Sequence, residues 1–302
     1  MAKIITIWGN PGCGKSMFST NLAKVLTAGK EKAIIINADS STPMLPVWMP
    51  DRILESSASI GNVLSSLDIN MAMVAERVTI LKDYPFIGVM GYAAGETPFS
   101  YPELKYDKIR LFISEASKLV DYLILDCSSH MLNFFTPTAI ESADLVIRIL
   151  TPDLRGVNYL RAHKPLLTDN KFHYHEHLTF AGMARPFHAL DEMEHLIGGF
   201  DGMLPYAKEM ERCGTEGQMF HALGCCNQRY IQSLKLVKER LCDEEPVKDA
   251  NIPTMNTIEE EPTPDLPANQ EAEMTNALPP EKPSPASPVR KERTSHGHGL
   301  FK

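Results

Sequence analysis

A stretch near the start of the chain, residues 9–16, has the residue types and spacing needed to bind phosphate groups. It reads Gly-Asn-Pro-Gly-Cys-Gly-Lys-Ser and fits the pattern G-x-x-x-x-G-K-[ST]. The glycines let the backbone curl so that successive N–H groups point inward, and the dipole of a following helix adds positive potential there. Lys15 would reach the β and γ phosphates, and the Ser16 hydroxyl would bind Mg²⁺. We therefore predict a nucleotide site. Its predicted contact residues are Gly9, Asn10, Pro11, Gly12, Cys13, Gly14, Lys15, Ser16 and Met17.

Two aspartates complete the chemistry that this site would need. Hydrolysis of a nucleoside triphosphate requires neutralised phosphate charge, a bound Mg²⁺ and a water placed in line with the γ phosphate. Asp126 closes an apolar run, where a carboxylate can hold Mg²⁺; the alternative is a simple strand-ending acid. Asp39 follows another apolar run, where it can orient the water or touch Mg²⁺; the alternative is an Asx turn or a helix cap. We predict Lys15 and Asp39 as catalytic residues, and Ser16, Asp39 and Asp126 as Mg²⁺ ligands.

Three weaker patterns each have a functional and a structural interpretation. Cys13 lies in the phosphate loop and could be oxidised, but we expect its side chain to be a bystander. His173, His175 and His177 would share one face of a strand and could hold a metal, although a solvated strand edge is favoured. The helix predicted over residues 226–242 has a basic side, and packing on a sheet is favoured over a patch for DNA phosphates or an acidic partner. Its basic residues are Arg229, Lys235, Lys238 and Arg240.

Apolar runs and helical periodicities alternate along the chain and predict the elements that must position these residues. The predicted strands cover residues 3–8, 33–37, 87–91, 122–126, 145–150, 178–184 and 203–204. The predicted helices cover residues 16–26, 59–67, 70–82, 103–119, 137–143, 155–167, 189–197 and 226–242. This alternation predicts an α/β fold with a mostly parallel twisted sheet and helices on both faces. Because ligands bind at the carboxyl ends of such strands, the phosphate loop, Asp39 and Asp126 should meet at one edge.

Composition divides the chain into a globular part and a tail. With 302 residues and 43% hydrophobic content, the chain can build a substantial core, which we assign to residues 1–242. From residue 243 to 302 it is rich in Pro, Glu, Asn, Thr and Ser, which predicts a disordered tail, acidic first and basic near Arg290. The tail is expected to be a solubilising appendage, with docking through its basic end as the alternative.

Net charge, hydropathy and cysteine usage restrict the partners and the compartment. A net charge of −8 does not indicate DNA binding, although a local basic patch could be hidden in that total. We expect no signal peptide and no transmembrane segment, and hence a cytoplasmic protein. The 6 cysteines are scattered without paired metal-ligand spacing, so we expect no disulfides.

These features together resemble the MinD/ParA family of dimeric ATPases, over roughly residues 1–240. Besides the phosphate loop, the resemblance is carried by Asn37-Ala38-Asp39, residues 121–126, residues 142–147 leading to Thr151-Pro152-Asp153, and Leu204-Pro205-Tyr206. It implies ATP and Mg²⁺ as ligands, a homodimer with ATP at its interface, and a nucleotide state that positions a partner complex. It also implies that Arg185 and Pro205 lie near the adenine, although the family usually has an asparagine close to the position of Met183 or Arg185.

The chain departs from the family's pattern at Asn10. The family has a signature lysine there that crosses the dimer interface to the partner's phosphates, much as an arginine finger does. Asn10 cannot supply this charge, which leaves open slow hydrolysis, charge from another residue or partner, or binding with little turnover. Replacing Asn10 by lysine is expected to raise turnover in a dimer-dependent way. Atypical loops of this kind resemble the CpaE/TadZ branch, whose members place pilus or secretion machinery, and such proteins also occur in conjugation gene sets.

Two other functions stay open beside a positioning ATPase. A scaffold could bind ATP without hydrolysing it and recruit partners through the tail. A small-molecule kinase could use the same phosphate loop, but such kinases generally carry an arginine-bearing lid, and the sequence shows no arginine-rich insertion between the later strands. A terminal membrane-binding helix of the MinD kind is not expected, because residues 299–302 are too short to anchor anything alone.

Overall fold

The structure, a computed structural model, describes residues 2–50 and 58–243. The predicted tail lies outside the described residues from residue 244 onward.

An eight-stranded sheet forms the centre of the described part, in the order β3-β4-β2-β5-β1-β6-β7-β8. The strands are β1 (Lys3–Gly9), β2 (Ala33–Asn37), β3 (Thr79–Leu81), β4 (Tyr84–Met90), β5 (Tyr122–Asp126), β6 (Leu145–Leu150), β7 (Leu178–Ala184) and β8 (Gly202–Pro205). All neighbouring strands pair in parallel except β3 and β4, which pair antiparallel. The predicted α/β fold with a mostly parallel sheet is confirmed.

Helices cover both faces of this sheet. They are α1 (Lys15–Leu26), α2 (Leu45–Trp48), α3 (Ile60–Ser65), α4 (Met71–Arg77), α5 (Tyr106–Ser117), α6 (Phe135–Ser142), α7 (Leu154–His163), α8 (Leu190–Ile197), α9 (Lys208–Thr215) and α10 (Gln228–Asp243). Successive strand residues point to opposite faces. Thus Ile35 packs in a core with α1 and α10, whereas Ile34 and Ile36 pack in a second core with α5 and α6. This explains why the central strands are apolar throughout.

The register of the central strands brings the predicted site residues to one edge. Asp126, the last residue of β5, is paired with Ile7 of β1 on one side and with Asn37 of β2 on the other. The chain leaves β1 directly into the phosphate loop and leaves β2 toward Asp39. The carboxyl edge of the sheet therefore holds all three predicted segments, as expected for a parallel sheet.

Three local predictions were wrong or incomplete. The helix predicted over residues 70–82 ends at Arg77, because Thr79–Leu81 forms β3 and a two-residue connection at 82–83 turns it back into β4. The histidine segment is not a strand: short 3₁₀ turns cover Asn170–Phe172 and Tyr174–Glu176. Helices α2 and α9 and the 3₁₀ turn Met219–Cys225 were not predicted. Within residues 2–50 and 58–243, no helix is both long and apolar enough to cross a bilayer.

Candidate nucleotide site

The phosphate loop has the backbone conformation that its glycines allow. Gly9 and Gly14 have φ values of 152° and 94°, in the region that other residues rarely adopt. A side chain at Gly9 would also collide with the sheet, because its Cβ would lie 1.8 Å from the Ile149 carbonyl oxygen. Gly14 is the N-cap of α1 and its carbonyl accepts the Phe18 N–H at 2.9 Å, so the helix begins at the loop. The loop thus ends at a helix N-terminus, where the backbone favours an anion.

Lys15 folds back over this loop. Its ammonium donates to the carbonyl oxygens of Gly9, at 3.1 Å, and Asn10, at 3.2 Å. A third bond, of 2.7 Å, runs to the hydroxyl of Ser129, in the segment after β5. The Tyr159 hydroxyl on α7 donates to the Ser129 carbonyl at 2.7 Å and fixes that segment. The Lys15 ammonium is therefore held at the loop by neutral acceptors. Charged phosphate oxygens bind an ammonium more strongly and would replace these acceptors when a nucleotide binds.

Asp126 is a buried carboxylate that is only half satisfied. Its Oδ2 accepts a 3.0 Å hydrogen bond from the Asn37 side chain, whereas Oδ1 has no hydrogen-bond partner. Burial raises the pKa of this carboxyl, and the Ser16 hydroxyl, the Lys15 ammonium and Asn37 offset that effect only in part. An unpaired buried carboxylate oxygen costs free energy unless a ligand completes it.

The oxygen donors at this position fit Mg²⁺. Hard divalent cations prefer oxygen ligands, and Mg²⁺ in phosphate sites is held by one or two carboxylates together with substrate phosphates and water. The orphaned Oδ1 of Asp126 and the nearby Ser16 hydroxyl are donors of this kind. In the described part of the chain, no group of three or more His, Cys, Asp and Glu residues could hold a metal without such additional ligands.

Asp39 forms an Asx turn and also lines the site. Its Oδ1 accepts hydrogen bonds from the backbone N–H groups of Ser41, at 2.9 Å, and Thr42, at 3.2 Å. The structural alternative for this residue is thus present. It is compatible with the predicted role, because Asp39 lines the same cavity as Lys15 and Ser16.

Asn10 points into the protein rather than toward solvent. Its side chain is 3% exposed, its Oδ1 accepts the Thr151 N–H at 2.9 Å, and its Nδ2 donates to the Thr151 hydroxyl at 3.1 Å. The Thr151 hydroxyl donates in turn to Asp153 at 2.8 Å. Asp153 caps α7 and binds Arg155. Burial alone would raise the pKa of the Asp153 carboxyl, but the hydrogen bonds from Arg155, Gly156 and Thr151 lower it to about 2.

A cavity of about 410 Å³ extends from the phosphate loop to the ends of β7 and β8. The predicted contacts from Pro11 to Met17 line it, as do Asp39 and Pro205. Arg185 does not line it; its guanidinium lies 3.8 Å above the Tyr206 ring. Its contact with the base stays a prediction. The end of the cavity away from the loop is apolar, and the sequence did not predict it. It is lined by Met44, Met183, Leu204, Met210, Met219 and Tyr230.

The remaining sequence patterns have structural explanations. The Cys13 thiol is buried, and burial raises its pKa, which disfavours the reactive thiolate. His177 is buried with its Nε2 2.7 Å from the Phe172 carbonyl oxygen. On α10, Tyr230, Leu234 and Val237 are buried in the core, so this helix packs on the sheet as favoured. Ser129 and Thr151 were missed as site residues; the hydroxyls that follow Asp126 and β6 were the available signal.

Solved structures with the same fold are ATPases of the MinD and ParA type. A ParA family ATPase from Chlorobium tepidum superposes with a TM-score of 0.61 and 16% identity, covering 78% of this chain and 98% of that chain. MinD from Pyrococcus horikoshii, complexed with Mg-ADP, gives 0.62 and 14%, covering 80% and 98%. The MinC:MinD complex from Aquifex aeolicus gives 0.61 and 13%, covering 82% and 99%. No protein-family model and no curated protein sequence matches the chain. The predicted resemblance is confirmed for the fold; the CpaE/TadZ branch is not confirmed.

Proposed function

We propose that this chain binds ATP with Mg²⁺, hydrolyses it slowly, and uses nucleotide-dependent dimerisation to position a partner complex. The observation that carries the proposal is the half-satisfied carboxylate of Asp126. It lies beside Ser16 and Lys15, at the end of a strand that pairs with the one leading into the phosphate loop. A buried charge of this kind is costly in a structural role and useful as a Mg²⁺ ligand.

Each residue of the site has a defined part in this proposal. The loop backbone and Lys15 bind and orient the phosphates. Ser16 and Asp126 hold the cation, which when bound neutralises charge on the β and γ phosphates. Asp39 orients the attacking water or contacts the cation, and its Asx turn keeps the carboxylate at the cavity wall. Pro205 and the apolar end of the cavity enclose the base, with Arg185 beside them.

Slow hydrolysis follows from the direction of the Asn10 side chain. A neutral amide that is buried and bonded to Thr151 brings no positive charge to the phosphates of either protomer. In this proposal the loop backbone, Lys15, Ser16 and Asp126 bind the nucleotide, whereas the stabilisation of charge in the transition state has to come from a residue other than Asn10.

A role in positioning is supported by the structures that share this fold. They include a cell-division MinD protein in complex with MinC and a ParA family ATPase. We propose a homodimer that binds a protein partner of pilus, secretion, conjugation or DNA segregation machinery. We place it in the cytoplasm, recruited by its partners to the inner face of the membrane or to a cell pole. In this proposal residues 1–242 form the ATPase domain, and residues 243–302 form a disordered appendage.

The test is steady-state ATPase activity of the full chain with and without Mg²⁺ at increasing protein concentration. We expect a low rate that requires Mg²⁺, rises more than linearly with protein concentration, and is lost in Lys15→Ala. Lys235→Ala, which alters an exposed lysine on α10, is the matched control and should leave the rate unchanged. ATP binding without turnover, even beside a cell extract that contains partners, would favour the scaffold. Turnover only after addition of a small-molecule acceptor would favour the kinase.

A further inference from the structure

Arg155 is an exposed cation next to the phosphate loop. It is the second residue of α7, which follows β6, and β6 pairs with β1 directly beside the loop. The Arg155 side chain is 82% exposed. Its Nε and Nη2 bind Asp153 Oδ2 at 3.0 and 2.6 Å, which leaves Nη1 and one Nη2 proton for another anion.

A continuous chain of hydrogen bonds connects Arg155 to the second residue of the phosphate loop. Asn10 binds Thr151 through both its amide nitrogen and its amide oxygen, Thr151 donates to Asp153, and Asp153 accepts from the guanidinium. Asn10 stands where the family has its signature lysine. Through Thr151, it holds in place the segment that carries the positive charge of Arg155. The two hydrogen bonds from Nε and Nη2 to a single oxygen of Asp153 give the planar guanidinium a defined orientation.

Few other cations are available at this place. Four loops lie at the carboxyl edge of the sheet around the phosphate loop, after the neighbouring strands β2, β5, β1 and β6. They cover residues 38–44, 127–134, 10–15 and 151–155. The structure describes all of them, and their only Lys or Arg residues are Lys15 and Arg155. Lys15 turns into its own loop. Arg155 does not line the cavity of its own chain, and its side chain is largely exposed.

The surface around Arg155 fits a second copy of this chain. Leu154 is 65% exposed, and Leu132, in the segment held to α7 by Tyr159, is 87% exposed. Exposed apolar side chains are typical of a surface that binds a protein partner, and the free donors of the guanidinium suit an anion on that partner. A second copy of the chain would bring phosphate groups to this surface, in the nucleotide bound at its own phosphate loop.

We propose that Arg155 supplies the missing charge in trans, by contacting the nucleotide phosphates bound to a second copy of the chain. This inference rests on the proposed function. In the reaction, water attacks the γ phosphorus, the bond between that phosphorus and the bridging oxygen breaks, and ADP and phosphate leave. Arg155 exchanges no proton; it stabilises the negative charge that develops on the phosphate oxygens.

The test compares full-length variants in the concentration-dependent ATPase assay. Arg155→Ala should lower kcat at least about tenfold, below the about 10³–10⁵ of an enclosed arginine finger because Asp153 shares the charge, and should leave ATP affinity within about twofold. Arg155→Lys should retain part of the rate. Arg161→Ala, an exposed arginine on the same helix, is the matched control and should behave as wild type.

Mixing variants separates action in trans from action within one chain. Asp39→Ala would have a defective site but an intact Arg155, and Arg155→Ala would have an intact site. An equimolar mixture should recover about a quarter of the wild-type rate, because half of randomly formed dimers are mixed and each has one complete site. If the Arg155→Ala rate equals wild type, or if mixing recovers nothing, the proposal is overturned. If wild type itself shows no turnover, the proposed function fails and this inference with it. Should Arg155→Ala not fold, Arg155→Gln replaces it in both experiments, judged by its urea midpoint.

Discussion

Replacing Asn10 by alanine should destabilise the protein well beyond the effect of an ordinary loop substitution. The side chain makes hydrogen bonds of 2.9, 3.1 and 3.1 Å to the Thr151 N–H, the Thr151 hydroxyl and the Pro11 carbonyl. Both Asn10 and Thr151 are buried, at 3% and 5% exposure. Truncation leaves the Thr151 N–H without an acceptor, which costs about 1–3 kcal/mol, and removes two further bonds of about 0.5–1.5 kcal/mol each.

Because these contributions overlap, we expect a loss of about 2–4 kcal/mol in the free energy of unfolding. The measurement is urea unfolding of the full chain without nucleotide, compared through midpoint and slope. Thr151→Ser keeps both the amide and the hydroxyl and should lose less than about 1 kcal/mol, which makes it the matched control. A loss below about 0.5 kcal/mol in Asn10→Ala would refute the view that this side chain links β1 to β6.

Four further predictions concern the site and its surroundings. Burial lowers the pKa of His177 from 6.5 to about 4. Between these two pH values the unfolded chain is protonated at His177 and the folded chain is not. The free energy of unfolding should therefore fall by up to about 3 kcal/mol as the pH drops across that interval. His177→Gln should flatten this dependence in urea titrations, and an unaltered slope would contradict the assignment. Asp126→Asn should unfold at equal or higher urea without ligand, since burial raises the pKa of Asp126, yet lose Mg²⁺-dependent ATP binding in calorimetry; undiminished binding would count against Asp126 as a ligand. Gly9→Ala, whose Cβ would lie 1.8 Å from a carbonyl oxygen, should cost about 3 kcal/mol and weaken ATP binding; wild-type stability would show that the loop can shift. Asn10→Lys should raise dimer-dependent turnover at a cost in stability, and an unchanged rate would mean that position 10 does not reach a partner's phosphates.

The architecture could be predicted because its signals are local. The inner strands β2, β5, β6 and β7 have the predicted bounds, since short, almost continuous apolar runs are typical of strands buried on both faces. Strand β3 was missed because the three residues Thr79–Leu81 follow a helical pattern without a break, and only pairing with β4 makes them a strand. Helix α9 was missed because only Met210 and Cys213 of its 8 residues are buried, which leaves no extended apolar pattern in the sequence.

In the candidate site, too, local sequence patterns could be predicted, whereas contacts between distant residues could not. The phosphate loop and Asp126 were visible because glycine spacing and a strand-ending acid are patterns within a few residues. The resemblance implies that Arg185 lies near the adenine, which stays a prediction; the position of its guanidinium over the Tyr206 ring is a contact that no spacing encodes. The four methionines at the apolar end of the cavity come from four separate segments, so no single stretch indicated them.

The sequence by itself determined the fold class, the position of the phosphate loop and the edge of the sheet at which Asp39 and Asp126 meet. These follow from backbone conformation and from the apolar pattern, which act over neighbouring residues. The tertiary structure alone decided what the side chains do there: Asn10 turns inward to Thr151, Lys15 binds Ser129, and Arg155 faces outward. These contacts join residues more than a hundred positions apart, or depend on which surface is left uncovered, and both exist only once the sheet has assembled.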